Sequence, residues 1–330
     1  MSATPVLSLR SPRLAAICGG VGGAKLALGL ERLYGDAVTI IVNTGDDFEH
    51  LGLHVSPDID TVLYTLSGRS DLERGWGRAG ETWQFMKALH ELGGETWFQL
   101  GDLDLAMHVE RTRKLRAGVS LTAITRDVAA KFGIAATILP MSDDRVETTV
   151  ITPDEALPFQ RYFVEKQCKP VVTRVEFRGA ERAKASDAVI AALQDPALDA
   201  IIICPSNPYL SIDPILSVGN LRSALKQAQV PIIVVSPLIG GAAVKGPTAK
   251  IMAEIGVPAT SRAMAAHYAG LIDGIIIDES DRADAATLDL PVCVAPTLMR
   301  SLDDKIGLVR TCAEFAMQLK TQAQTAGGTR

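Results

Sequence analysis

Five short runs of continuously apolar, largely β-branched residues constrain this chain more than any other feature: Leu14 to Cys18, Val38 to Val42, Ala200 to Cys204, Ile232 to Val235 and Ile275 to Asp278. A strand with one face in water alternates apolar and polar residues; runs without that alternation belong to strands covered on both faces. The stretches between them carry helical character, and strands alternating with helices make a parallel sheet. The expected fold is therefore α/β, a Rossmann-like parallel sheet with helices on both faces. With 47% of its 330 residues apolar, the chain is long enough to bury such a core.

Between roughly positions 57 and 132 the β signal fades. Glu81 to Leu92 and Ser120 to Phe132 read as helices, the second with Ser120 placed to cap it and Gly133 to stop it. These mark a mainly helical insertion or lid over about 57–133, set into a core made of about 12–56 and 134–322, the whole forming one domain. Leu302 to Gln322 reads as a closing helix, and 1–11 and 323–330 as flexible termini.

A formal charge of −5 without dense Lys/Arg blocks excludes the basic footprint of a nucleic-acid binder, though it leaves room for a locally positive phosphate pocket. The five cysteines (Cys18, Cys168, Cys204, Cys293, Cys312) are scattered and form no C-x-x-C pair, which indicates neither a disulfide framework nor a thiolate zinc site. The run Leu14 to Cys18 is too short for a signal-peptide core. Pro231 to Val244, broken by Pro237, Gly240 and Gly241, is too short to span a bilayer. A cytoplasmic protein with no membrane anchor is expected.

The chemistry-bearing motifs follow the apolar runs. The first passes directly into Gly19-Gly20-Val21-Gly22-Gly23-Ala24-Lys25, after which a helix is expected from Leu26. Glycines admit phosphate oxygens to the backbone, a helix N-terminus offers unpaired N–H groups, and Lys25 adds a full charge. The spacing matches neither G-x-G-x-x-G, whose last glycine is Lys25 here, nor a G-K-[ST] phosphate loop. A tight strand-to-helix turn is the plain alternative. The second run ends in Asn43-Thr44-Gly45-Asp46-Asp47, followed by Ser56-Pro57-Asp58-Ile59-Asp60-Thr61. Asp46, Asp47, Asp58 and Asp60 are candidates to share Mg2+, with its preference for oxygen ligands, or to activate a hydroxyl. Asp46 or Asp47 bound to a ribose, and Asp58 as a plain helix cap, are the competing readings.

Further along, Cys204-Pro205-Ser206-Asn207-Pro208 stiffens a strand end where Ser206 and Asn207 can read a base or a phosphate, or simply turn the chain. Ser236 to Pro247 contains a second glycine loop with Gly240, Gly241 and Lys245, and two such loops suit a diphosphate. Pro140-Met141-Ser142-Asp143-Asp144 closes another strand. His50 and His54 have the i, i+4 spacing of a zinc pair but lack the accompanying glutamate and enclose Gly52, against a helix.

Taken in order, these blocks resemble the 2-phospho-L-lactate transferase (CofD) family across nearly the whole chain, with Ser56 to Tyr64 the most characteristic. The resemblance implies a transferase of coenzyme F-420 biosynthesis, a homodimer using Mg2+. In it, the ribityl hydroxyl of 7,8-didemethyl-8-hydroxy-5-deazariboflavin attacks a guanosine-diphosphate-linked lactate, enolpyruvate or glycerate, and GMP leaves. It also implies Asp60 as the residue that contacts the deazaflavin and orients or deprotonates the hydroxyl, Asp47 as a second catalytic residue, and Asp46, Asp47 and Asp60 around the metal. The donor falls to Gly20, Gly22, Gly23, Lys25, Ser206, Asn207, Gly240, Gly241 and Lys245. Where the family often has a lysine against the deazaflavin, this chain has Gln99, which can donate a hydrogen bond but cannot neutralise a phenolate. The rival readings are a non-catalytic nucleotide-binding regulator of the same fold and, less well supported, a nicotinamide oxidoreductase.

Overall fold

The computed structural model describes residues 11–243 and 246–327. Its centre is a seven-stranded sheet, parallel throughout. In spatial order the strands are Val292–Ala295, Gly274–Asp278, Ile232–Val235, Leu198–Ile203, β1 (Arg13–Cys18), β2 (Val38–Val42) and Thr137–Pro140. All five apolar runs are strands of this sheet, and β1, β2, Leu198–Ile203, Ile232–Val235 and Gly274–Asp278 are almost wholly buried. Two apolar clusters cover its faces. One joins α1 (Gly20–Tyr34), α2 (Pro57–Leu66) and the helix Leu302–Gly327; the other joins the helices Asp187–Leu193, Asp213–Ser217, Leu221–Gln227 and Ser261–His267.

From β1 the chain steps outward through β2 to Thr137–Pro140, then returns to the other side of β1 at Leu198–Ile203 and proceeds to the opposite edge. The order thus reverses between β1 and Leu198–Ile203. Diverging connections leave a crevice at the carboxyl ends of two such strands.

The crossover from β2 to Thr137–Pro140 begins with a two-stranded hairpin, Phe48–His50 and Leu53–Val55, turning at Leu51 and Gly52, both with positive φ. His50 and His54 therefore lie on strands, not on one helix face. Next come α2, α3 (Gln84–Glu91), α4 (Asp102–Arg116) and α5 (Leu121–Lys131). Ser120 caps α5 by accepting from the Ala123 amide at 3.2 Å, and Gly133 stops it at φ +70°. Helices α3 and α4 cap each other. Asp102, in the first turn of α4, accepts from the amides of Gln84 and Phe85, while Glu81, just before α3, accepts from those of Leu103 and Asp104.

Two features depart from the sequence expectation. A three-stranded antiparallel sheet, in the order Ala156–Pro158, Glu147–Ile151, Arg174–Arg178, stands beside the central one. The closing helix also runs to Gly327 instead of ending at Gln322, so 323–327 are helical; residues 1–10 and 328–330 lie outside the described residues.

Candidate active site

At the crevice beside β1 lies a cavity of about 660 Å3. Gly19 to Gly22 come to it from β1, Asp46 from β2, Asp58 and Asp60 from α2, Ser206 and Asn207 from the strand Leu198–Ile203. The glycine stretch is not a loop. Helix α1 starts at Gly20, so Gly22, Gly23 and Lys25 are helical, and within the stretch only Gly20 takes a positive φ, +62°. Gly22 and Gly23 are glycines because another segment packs on them: a Cβ on Gly22 would meet the Pro205 carbonyl oxygen at 2.3 Å, and one on Gly23 the Ser206 hydroxyl at 2.6 Å. Ser206 closes the seam, donating to the Gly19 carbonyl at 2.7 Å. The two sides of the crevice are thus riveted at van der Waals contact, with the α1 N-terminus facing the cavity. Lys25 lines the cavity from the second turn of α1, and its Nζ donates to the Met299 carbonyl at 3.3 Å.

Asp58 is indeed a cap, but for another helix. It accepts from the Gly20 amide at 2.8 Å, at the start of α1, and from Asn43 Nδ2 at 3.0 Å. The same Asn43 nitrogen donates to Asp46 at 3.1 Å. Two buried carboxylates thus share one amide. Burial, opposed by those hydrogen bonds, pushes Asp58 up to about 6. Asp46 is raised well above the aspartate range by burial and by the charges of Asp58 and Asp47. Negative charge is concentrated here, on two carboxylates that have no salt-bridge partner among the described residues.

Asp60 has one. Arg111, on α4 and 2% exposed, donates to both its carboxylate oxygens, from Nη1 at 3.0 Å and from Nη2. Beside this pair His108 sits with Nδ1 3.8 Å from Asp60 and Nε2 3.2 Å from Asp104, whose other oxygen accepts from the Tyr64 hydroxyl at 2.5 Å. Among the described residues, Asp60, Asp104 and His108 are the acidic and imidazole groups whose ligand atoms lie within 4.8 Å of one another. Asp46 and Asp47 stand outside that group.

Aromatic side chains complete the wall: Trp76 and Phe98 from the connections flanking α3, Phe159 and Phe163 from beside the antiparallel sheet. Asn207 accepts with Oδ1 from the amides of Tyr209 and Leu210, while its buried Nδ2 has no partner among the described residues. A helix N-terminus and a carboxylate cluster therefore share one cavity with broad apolar surfaces.

The 2-phospho-L-lactate transferase CofD family model matches residues 14–290. The chain belongs to the CofD family. It is accordingly a transferase acting on phosphate-containing substrates, which sets aside the regulator and oxidoreductase readings. A protein named phosphoenolpyruvate transferase from Kitasatospora aureofaciens is 40% identical over 93% of this chain and 99% of its own length. One named 2-phospho-L-lactate transferase from Methanosarcina acetivorans is 39% identical over 92% and 97%. A crystal structure of a UPF0052-family member from Bacillus halodurans superposes with a TM-score of 0.60 at 14% identity, covering 92% of this chain and 99% of that one. That last likeness speaks for the fold alone.

Several residues that the CofD resemblance implies do not reach the main cavity. Asp47 lines a smaller cavity of about 240 Å3, and its Oδ2 is bound by Ser56 at 2.7 Å and His54 at 3.1 Å. It is turned away because the hairpin at Phe48 starts immediately after it. Gly240 and Gly241 form the turn of a hairpin, Leu238–Ile239 with Ala242–Ala243, and both amides already bind Asp281 at 3.0 Å. In this structure those two amides are committed to Asp281. Gly23 is spent on the Ser206 contact, and Lys245 lies outside the described residues. Gln99 lines the cavity, exposed, with its amide nitrogen donating to the Thr96 carbonyl at 2.8 Å. Arg111 and Asp104 went unnoticed in the sequence, and His108 reads there as an isolated surface or core histidine, although their spacing of four and three residues places all three on one helical face.

Proposed function

We propose that this CofD-family transferase is cytoplasmic and moves a phospho-lactyl, phosphoenolpyruvyl or phosphoglyceryl group from a guanosine-diphosphate-linked donor to the ribityl hydroxyl of 7,8-didemethyl-8-hydroxy-5-deazariboflavin, releasing GMP, in coenzyme F-420 biosynthesis. The observation that carries the reading is the mixed lining of the cavity, apolar rings together with a helix N-terminus and polar side chains. A planar, largely apolar ring system suits the wall of Trp76, Phe98, Phe159 and Phe163, and a diphosphate suits the α1 N-terminus with Lys25, Ser206 and Asn207 around it. Asp60, in the same lining, accepts a hydrogen bond from the attacking hydroxyl in this reading. In such a transfer the hydroxyl oxygen forms a bond to the phosphorus that carries the small acid through an ester oxygen, as the bond from that phosphorus to the bridging oxygen of the diphosphate breaks and that oxygen leaves with GMP. Positioning and charge neutralisation dominate this chemistry.

Mg2+ fits the carboxylates of the cavity floor. Asp46 and Asp58 are buried, adjacent and held at raised proton affinity, the condition a hard divalent cation relieves. We assign these two as its holders in preference to Asp47, which faces elsewhere, and Asp60, whose charge the Arg111 guanidinium already neutralises. When bound, the ion would neutralise phosphate charge.

The test is a chromatographic assay of the purified protein with the deazaflavin alcohol, Mg2+ and each of the three donors in turn, following GMP. Turnover with one donor establishes the reaction and selects the acid; no turnover with any of them sinks the reading.

A further inference from the structure

Four of the groups on the floor and flank of the cavity, Asp60, Tyr64, Asp104 and His108, are tied together across the α2–α4 seam. Arg111 belongs to the same seam but is absent from the cavity wall: it reaches Asp60 from behind. Its register repeats that of its partners, since Asp104, His108 and Arg111 on α4 meet Asp60 and Tyr64 on α2.

A buried ion pair is a poor means of holding two helices together, because desolvating both charges offsets most of their attraction and an apolar pair of the same volume does as well. Burial opposes the charge on Arg111, yet the carboxylates of Asp60 and Asp47 more than compensate and hold its pKa above the arginine value. The guanidinium is therefore a fixed cation. It is also planar and forked, so contact with both oxygens of Asp60 fixes the plane of that carboxylate as well as its place. His108 guards the remaining freedom. Arg111 Nη1 lies 3.4 Å from His108 Nδ1, and since arginine only donates, that nitrogen carries the lone pair and Nε2, 3.2 Å from an Asp104 oxygen but without a hydrogen-bond partner among the described residues, carries the hydrogen. Two carboxylate lone pairs are committed to Arg111, leaving those that face the cavity.

We propose that Arg111, with His108 beside it, is a positioning residue of the transfer reaction: its fork sets the Asp60 carboxylate in the one orientation that receives the acceptor hydroxyl. The proposal rests on the function proposed above and adds to it a residue that touches neither substrate. Arg111 acts only through Asp60, so its loss affects the rate at saturation and leaves the nucleotide side of the cavity alone.

The experiment compares the wild-type chain with Arg111→Ala, Arg111→Lys and His108→Gln, reading single-turnover rate, GDP affinity by calorimetry, and the response to added guanidinium chloride at tens of millimolar. Arg111→Ala is expected to lower the rate at saturating substrates by ~100-fold, the usual consequence of a reacting group misplaced by about an ångström. GDP affinity should stay within about threefold and guanidinium should recover at least roughly tenfold in rate, because a small planar cation fits the space vacated. Arg111→Lys keeps the charge without the fork and should fall between, as should His108→Gln. Wild-type rates in Arg111→Ala, a proportional loss of GDP affinity, or guanidinium that raises the melting temperature without raising the rate would each overturn the proposal. If Arg111→Ala does not fold, Arg111→Lys decides: an unchanged rate refutes positioning, a slower rate at unchanged GDP affinity supports it. A wild-type chain inactive with every donor overturns the function itself, whereas an active wild type equalled by its variants overturns this inference alone.

Discussion

Asp60 and Asp58, two positions apart in the first turn of α2, have opposite surroundings. Asp60 is clamped by a guanidinium, whereas Asp58 receives only amide donors and is pushed up to about 6. One residue in between turns the helix by about 200°, enough to aim one carboxylate at α4 and the other at α1. This division of labour predicts that Asp60→Asn, which preserves shape but loses charge and one acceptor, lowers the single-turnover rate by about 100-fold or more while donor affinity stays near wild type. Single-turnover kinetics beside calorimetry with GDP reads both. Equal losses would move Asp60 to the nucleotide side.

Among the elements, α4 explains why part of the site was hidden. An apolar stripe at helical spacing is the usual signal for a buried helix, but the buried residues of α4 are His108, Arg111 and Thr112. Its inner face is polar, so no stripe exists to be read. The antiparallel sheet escaped for a related reason: Arg174–Arg178 and Ala156–Pro158 are half-exposed and carry no continuous apolar run. At the far end of the sheet, the strand Gly274–Asp278 delivers Asp278 to a capping role. It accepts from the Ser280 amide at 2.9 Å and from the amide and hydroxyl of Thr297, a cavity residue, at 2.9 and 3.0 Å. Burial works against its charge, but these donors outweigh burial and hold its pKa below the ordinary value. A carboxyl depressed on folding stabilises at pH above its unfolded value, about 3.9, and that contribution disappears as pH falls through the lower folded value. Denaturant unfolding between pH 7 and 3 should therefore show Asp278→Asn less stable than wild type at neutral pH, with the gap closing below about pH 4. A gap independent of pH would assign the loss to packing.

For the whole molecule, the cavity exists because the strand order reverses at β1 and stretches of chain far apart in sequence meet there. A cation that joins carboxylates from two of those stretches, Asp46 after β2 and Asp58 on α2, ties the assembly together. Mg2+ with GDP should raise the melting temperature in a concentration-dependent way, by mass action on the folded state. Asp46→Asn should abolish the Mg2+-dependent part of that rise while leaving a rise with GDP alone. A full Mg2+ response in Asp46→Asn would place the ion elsewhere.

The sequence by itself determined the central sheet, because a strand buried on both faces must be continuously apolar, and β1, β2 and Ile232–Val235 announce themselves in that way. It also marked the ends of those strands as the chemical region, since glycines, Ser206, Asn207 and the aspartates cluster there. Only the tertiary structure decided which of these face one another. Asp46 and Asp47 are neighbours in sequence, yet one enters the main cavity and the other is turned aside by the hairpin that follows it. Gly22 and Gly240 are both glycines at strand ends, yet one admits the Pro205 carbonyl and the other makes a turn whose amides Asp281 has already taken. Arg111 reaches Asp60 across 51 positions of chain. Local pattern encodes burial and backbone shape residue by residue, whereas the direction of a polar side chain and the partner it meets depend on how distant elements pack, which no local period records.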